Sequence, residues 1–333
     1  MKILIRALFT TLLLLSAMAC AHTAQTQSAI QAFAAEMETK HGFNKAELEA
    51  LLTATEFRDD IIKAISRPAE SKPWREYRPI FLKQGRIDGG VEFWQENEAL
   101  LKQAEQEYGV PAEIIVAIIG VETRYGKHTG RYRVLDSLTT LAFGYPKRAK
   151  FFRKELEEFL LLSREEQVNP AQAKGSYAGA MGKPQFISSS YRVYAVDHDG
   201  DGRRDLWNSN ADIIGSVANY FKRHGWRPGE LITQQVTGGS GLQPYVDAGM
   251  KPSIKVSKLL ASGLQPVSGK PPEPEALSSL IKLAADERDE YWLGLHNFYV
   301  ITRYNHSNLY AMAAYQLSQE ILAARQRPQL LSD

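Results

Sequence analysis

The chain has 333 residues, with 40 Lys and Arg, 38 Asp and Glu, and one Cys. At roughly 100–200 residues per domain, this length suggests two or three domains, and a hydrophobic fraction of 44% with 23% charged residues is that of a globular chain able to bury a core. A single Cys excludes an intramolecular disulfide framework and a multi-Cys zinc site, and a net charge of +2 excludes the strongly basic footprint of a nucleic-acid binder.

Residues 1–19 carry Lys2 and Arg6 and no acid, and without them the chain has 38 charges of each sign. The basic start, the apolar run Ala7–Ala19 and the small residues at its end predict a signal peptide. The run is shorter than the about 20 apolar residues that a bilayer span needs, and the longest later run, Ile114–Val121, is shorter still. The chain is therefore expected to be exported without spanning a membrane. Cys20 leaves two readings open. Either Ala17-Met18-Ala19 is a cleavage site releasing a soluble periplasmic protein, or Cys20 is the lipidated first residue of a mature lipoprotein. In the second case the chain would sit on the inner face of the outer membrane, held by several acyl chains, because one binds only marginally.

Residues 20–109 are expected to form an N-terminal helical domain. Ser28 is a candidate cap for a helix with Ile30, Phe33, Ala34 and Met37 on one face. Asn44 with Glu47 resembles a capping box before Leu48, Leu51 and Leu52. Trp94, Leu101 and Tyr108 continue a helical stripe to Gly109, a natural left-handed cap, and Pro111 suits the first position of the next helix. A catalytic core is expected over 110–230. Five glycines among β-branched residues mark 231–275 as a small β and loop insertion, closed by the Pro-rich stretch Pro266–Pro274. In the C-terminal segment 276–333 a short helix, an aromatic stretch Tyr291–Tyr304 and a last helix from near Ser307 are expected, the last carrying Leu309, Met312, Ala313, Leu317 and Ile321 at helical spacing.

Two features inside the core carry chemistry. Ile115, Ile118 and Glu122 fall on one helical face, so a carboxylate lies on an apolar stripe close to a helix C-terminus. Desolvation and the negative end of the helix dipole both disfavour its ionised form. A carboxyl that keeps its proton near neutral pH is what a glycosidic general acid requires. On pattern alone, a surface Glu122 paired with Arg124 or Lys127 is the commoner reading, since helices are rich in Glu. The second feature is Asp197-His198-Asp199-Gly200-Asp201-Gly202-Arg203, which matches the start of an EF-hand loop: oxygen ligands from Asp197, Asp199 and Asp201, a sharp turn at Gly202, and the backbone carbonyl of Arg203. The closing Glu of that pattern is absent, its place being taken by Asn208. An Asp- and Gly-rich surface turn is the plain alternative.

Gly120-Val121-Glu122-Thr123-Arg124-Tyr125-Gly126, then Gly175-Ser176-Tyr177-Ala178-Gly179-Ala180-Met181-Gly182, Gln185-Phe186, and Asn297-Phe298-Tyr299-Val300-Ile301-Thr302-Arg303-Tyr304-Asn305 resemble, in that order, the B-type membrane-bound lytic murein transglycosylases. The resemblance runs from about residue 28 to 325. It implies a mainly α fold with a lysozyme-like catalytic core, an EF-hand-like calcium loop, a helical domain built from both chain ends and the small β-containing insertion. It implies cleavage of the MurNAc–GlcNAc β-1,4 bond of peptidoglycan with formation of 1,6-anhydro-MurNAc ends, Glu122 acting as acid and then as base. Ser176 and Gln185 would hydrogen-bond the sugar or Glu122. Tyr77, Tyr177, Tyr220, Tyr304, Tyr310 and Asn305 would line the groove, and Lys147 and Arg148 would meet stem carboxylates. Asp212 would close a longer loop around a structural Ca2+, with no organic cofactor.

Lys183 departs from the family pattern, where an apolar or aromatic residue is expected, and is read as pointing to solvent. Asp136 and Glu155 are available as a second acid but lie outside the shared motifs, and Asp136 is read as a cap for the helix at Ser137. Glycan strands are the expected partner, other cell-wall enzymes a further class, and the chain is expected as a monomer. The alternatives are a goose-type muramidase that uses water, and a non-catalytic peptidoglycan-binding scaffold.

Overall fold

The computed structural model describes residues 24–67 and 72–327. The signal segment and Cys20 lie outside them, as does the end of the C-terminal segment. Among the described residues no helix is long and apolar enough to cross a membrane. The chain separates into two compact units, each assembled from distant stretches.

The first unit takes residues 24–67, 130–181 and 186–192. A helix over 24–41 runs through Ser28, which therefore caps nothing; Phe33, Ala34 and Met37 on its inner face are fully buried. Asn44 does cap the helix Lys45–Thr53, its side chain accepting from the Glu47 amide at 3.1 Å. The helices Val134–Gly144 and Ala149–Glu165 pack on one another and bury Leu138, Leu141, Phe152, Leu156 and Phe159. Polar ties join the early segment to this pair, with His41 bonded to Glu157 at 2.8 Å and Arg153 to Glu36 at 2.7 Å. A two-residue ribbon pairs Tyr132 with Gly175. There a side chain on Gly175 would meet the Ala180 carbonyl at 2.2 Å, so the close approach requires glycine.

The second unit takes residues 72–129, 182–185 and 193–327. Its helical part is centred on Ala112–Thr123, which starts after Pro111 and packs against Gln84–Glu96 and Asn308–Gln326. Every residue from Ile114 to Val121 is buried, so the helix is apolar all round, as a central helix must be. The stripe of Trp94, Leu101 and Tyr108 belongs to two helices, Gln84–Glu96 and Glu98–Tyr108, broken at Asn97 and stopped by Gly109 at φ 73°. Ser307 caps the last helix, accepting from the Tyr310 amide at 3.3 Å.

The β region corrects the expected boundaries. Five antiparallel strands lie in the order Ile254–Lys255, Leu277–Leu283, Glu290–Gly294, Thr233–Gly238, Leu264–Pro266. The sheet thus extends well past residue 275. The short helix expected after the Pro-rich stretch is instead the strand Leu277–Leu283, paired through Ile281 and Trp292, and the aromatic stretch divides into a strand and the helix His296–Tyr304. The physical reason is burial: Leu280 and Leu293 join Val236, Val256, Leu259 and Leu264 in one apolar cluster that a helix at 277–283 would leave unfilled. Likewise 20–109 is not one domain and 110–230 is not one core, because contacts between sequence-distant helices divide both stretches between the units.

Candidate active site

The motif Gly120–Gly126 is a built helix stop. Arg124 and Tyr125 both take left-handed backbone conformations, at φ 50° and 60°. The Arg124 amide bonds back to the Gly120 carbonyl at 3.1 Å, satisfying an acceptor that the helix end would otherwise leave open. This reversal folds the Tyr125 ring onto the helix, where a side chain on Gly120 would come within 2.4 Å of the phenol oxygen. The phenol then donates to the Arg86 carbonyl at 2.8 Å. Thr123 ties the other side: its hydroxyl donates to the Lys183 carbonyl at 2.9 Å and accepts from the Gly126 amide at 3.0 Å. Glu122 is held one residue before this knot.

The Glu122 carboxyl is half-buried and accepts one hydrogen bond, from the Tyr310 hydroxyl at 2.6 Å. Burial pushes it up to about 7, and the Tyr310 bond, which favours the charged form, offsets only part of that rise. Burial and the nearby Glu122 carboxylate hold the Tyr310 and Tyr304 phenols well above their ordinary range, so both remain donors. The two rings stack, with centroids 6.4 Å apart and planes 9° apart. The Tyr304 hydroxyl donates to the Pro184 carbonyl at 2.6 Å. Tyr220, 4.8 Å from Tyr304, donates to the Arg303 carbonyl at 2.6 Å. Tyr77, packed between Trp74 and Phe81, lies close enough for its phenol to act on Tyr310. The structure therefore brings together Glu122, Tyr77, Tyr220, Tyr304 and Tyr310.

Other expected residues are placed differently. The Gln185 side-chain amide donates to the Thr129 and Gly182 carbonyls at 3.1 and 2.9 Å, and the Ser176 hydroxyl accepts from the Ala178 and Ala180 amides at 3.3 and 3.0 Å. Both are turn-forming bonds; the phenol of Tyr310 takes the place expected for them at Glu122. Asn305 is exposed at the end of the helix His296–Tyr304. Tyr177, half-buried, and the exposed Lys147 and Arg148 belong with Ser176 to the first unit, and the Arg148 guanidinium lies 4.3 Å over the Phe151 ring. Lys183 does not point to solvent. Its ammonium donates to Asn210 at 2.6 Å, and burial lowers its pKa.

The candidate second acids are structural. Asp136 is not a cap at Ser137: it sits in the first turn of a helix that begins at Val134, accepting from Arg133 at 2.6 Å and from the Glu56 amide at 3.1 Å. Glu155 accepts from the Ser189 hydroxyl at 2.7 Å and the Ser189 amide at 3.0 Å. Sequence reasoning passed over His224, which stacks on Tyr220 at 4.1 Å. The four-residue spacing from Tyr220 is the signal that would have found it.

In the acidic loop, Asp197, Asp199 and Asp212 each offer an oxygen, all within 4.8 Å of one another. Gly200 and Gly202, at φ 77° and 90°, turn the loop inward. The Asp212 carboxylate accepts from the His198 and Asp205 amides at 2.8 and 2.7 Å; burial first, then the charges of Asp199 and Asp197, raise its pKa. The Asp201 carboxylate accepts from the Arg203 amide at 2.8 Å and is not among the three converging groups. An all-oxygen set of this charge matches a hard divalent cation.

A mainly helical chain with one desolvated glutamate at the end of a buried helix has the architecture of a lysozyme-like glycan-cleaving enzyme. The family model of the transglycosylase SLT domain matches residues 25–319. Membrane-bound lytic murein transglycosylase B of Escherichia coli (strain K12) is 45% identical over 305 residues, which are 89% of this chain and 83% of that protein. The crystal structure of the soluble lytic transglycosylase SltB1 of Pseudomonas aeruginosa superposes with a TM-score of 0.84 at 50% identity, covering 89% of this chain and 99% of that one. Lytic transglycosylase Slt35 of Escherichia coli in complex with calcium gives 0.83 at 45% identity, over 89% and 93% of the two chains. The chain belongs to the SLT family of lytic transglycosylases, enzymes that degrade peptidoglycan as lyases.

Proposed function

We propose that Glu122 alone carries both proton transfers of the transglycosylase reaction. The carboxyl in its protonated form gives its proton to the glycosidic oxygen as the bond from C1 of the MurNAc residue to O4 of GlcNAc breaks. The carboxylate so formed then takes the proton of the C6 hydroxyl on the same MurNAc, and O6 closes on C1. Glu122 regains its proton, GlcNAc leaves with a free 4-hydroxyl, and the glycan ends as 1,6-anhydro-MurNAc with no water consumed. The nucleophile is tethered to the reacting carbon, so effective molarity replaces a second carboxylate. The substrate's N-acetyl group can stabilise the intermediate.

The observation that carries this reading is the placement of the Glu122 carboxyl, half-buried at the end of a buried helix with Tyr310 as its one hydrogen-bond donor among the described residues; burial pushes it up to about 7. The commitment of Asp136 and Glu155 to neighbouring amides and side chains supports it further. The half-buried Tyr304 ring suits a pyranose face, which presents C–H groups to an aromatic surface; Tyr77, Tyr220 and Tyr310 are buried and line the site from within. For Asn305, Gln185, Ser176, Tyr177, Lys147 and Arg148 we carry the substrate contacts that the motif resemblance implies.

Asp197, Asp199 and Asp212, with Asp201 and the Arg203 carbonyl, would hold a structural Ca2+ that pins the loop to the start of the helix Asn210–Arg223. The Escherichia coli relative is membrane-bound, which supports a place in the cell envelope; periplasmic exposure and a lipid on Cys20 extend that reading. Chromatography of digested sacculi tests the chemistry: anhydro ends are expected, and reducing ends would establish a muramidase instead.

A further inference from the structure

Directly beyond the Glu122 helix, Lys83, Gly85, Arg86, Arg124, Tyr125 and Lys127 line a cavity of about 290 Å3. Four of these are cations and none is an acid. Arg86 is only 8% exposed. Its Nη1 donates to the Ile80 carbonyl at 3.0 Å, its Cζ lies 5.0 Å over the Phe81 ring, and its Nε is buried with no hydrogen-bond partner. Burial and the charge of Arg124 both act against its ionised form, and no carboxylate acts in its favour. A guanidinium cannot escape by losing its proton, and a buried charge left without a counter-charge is costly.

The backbone adds to this. The cavity lies at the start of the 13-residue helix Gln84–Glu96, where Lys83 contributes no side-chain cap and the first turn holds no acid. The Arg86 amide is the first to find a carbonyl, that of Lys83 at 2.8 Å, which leaves the Gln84 and Gly85 amides at the positive end of the helix dipole. A side chain added at Gly85 would meet nothing within 4 Å, so the cavity is open on that side. The start of this helix, a buried guanidinium without a counter-charge and three more cations thus border one opening.

We propose that this cavity is an oxyanion site, and that the group it takes from the polymer is the terminal carboxylate of a peptide stem. The second half rests on the peptidoglycan reading above; the first does not. Ile80 and the Tyr125 ring give the cavity apolar walls beside its charges, which suits a carboxylate carried on a small aliphatic residue better than a bare inorganic anion. Because Arg124 and Tyr125 form the stop that holds Glu122, an occupant would also brace that turn.

The test is a nuclear magnetic resonance titration of the full chain at low ionic strength. The probes are acetyl-D-alanyl-D-alanine, its C-terminal amide, and inorganic phosphate. Dipeptide and phosphate are expected to move the Gly85 and Arg86 amide signals competitively, and the amide form to bind at least about 5-fold more weakly. Lys83→Gln and Arg124→Asn, the latter chosen because Asn tolerates the left-handed backbone, should each weaken both ligands about 5-fold. Phosphate binding without dipeptide binding would support the oxyanion site and overturn the stem-carboxylate assignment. Absence of shifts with either anion, or affinities unmoved in both variants, would overturn the site itself. The readout needs no turnover and is expected to be unchanged in Glu122→Gln, so it stands or fails apart from the catalytic assignment.

Discussion

Glu122 and Glu155 are both glutamates on helices, both removed from water, and burial raises the pKa of each. What separates them is the company they keep. Glu155 is 3% exposed and satisfies both oxygens on Ser189, amide and hydroxyl, so its charge has local work as a tie between a long helix and the start of Ser188–Tyr194. Glu122 keeps an accessible edge and has one phenol for a partner. A buried carboxylate with filled acceptors is a structural part. A half-buried one with an unfilled oxygen has an acceptor to spare, which is what the proposed acid–base role of Glu122 requires.

The strongest way to break this contrast is activity. Glu122→Gln removes both proton transfers and is expected to lower kcat by about 10^3-fold or more, since one general acid–base role alone is worth about 10^2–10^4; Glu155→Gln should stay within about two-fold in the same muropeptide-release assay. Next comes the acidic loop, the region where carboxylates crowd each other. Ca2+ at about a hundredfold excess over its Kd should raise stability by about 2.7 kcal/mol, read as a melting shift that Asp212→Asn abolishes.

Glu155→Ala strands the Ser189 amide and hydroxyl, and should cost about 1–3 kcal/mol in denaturant titration with activity retained. The Glu122 carboxyl has the opposite effect on stability. The unfolded chain releases this proton above about pH 4.5, while the folded chain holds it to about 7. Wild-type stability therefore declines across that window, and Glu122→Gln, which does not titrate, should gain about 1 kcal/mol relative to wild type between pH 4.5 and pH 7.5 after allowance for the solvent edge. The smallest effect sharpens the role of the phenol. Because the Tyr310 bond lowers the Glu122 pKa, Tyr310→Phe should move the alkaline fall of kcat/KM to higher pH, by about one unit at most.

The spacing of Ile115, Ile118 and Glu122 put a carboxyl on a buried helix, since a helix repeat is a local property of the chain, but only the motif resemblance singled it out as the acid. In the acidic loop the local pattern gave Asp197 and Asp199, while Asp212, the third converging carboxylate, came only from the resemblance. What stayed hidden was the non-local bonding, including that of Tyr310, which the resemblance placed in the groove but not on Glu122. Tyr310 is 188 residues from Glu122, and nothing in a helical pattern says which phenol crosses that interval. Ser176 and Gln185 carry the right chemistry for the same bond, yet their groups close turns a few residues away. Lys183 reads as a surface cation, but a nearby Asn210 and the backbone reversal at Gly182 fold it inward. The strand Leu277–Leu283 failed to announce itself because its buried positions run together without clean alternation, and only pairing with Glu290–Gly294 distinguishes it from a short helix.

Burial outweighs the Tyr310 hydrogen bond at Glu122, so the carboxyl holds its proton well above the ordinary carboxylate range. Carbon-13 titration of the glutamate carboxyl signals, with the Glu122 signal assigned by its loss in Glu122→Gln, tests this most directly. A midpoint of about 7 is predicted; a midpoint in the ordinary range near 4.5 would contradict the account.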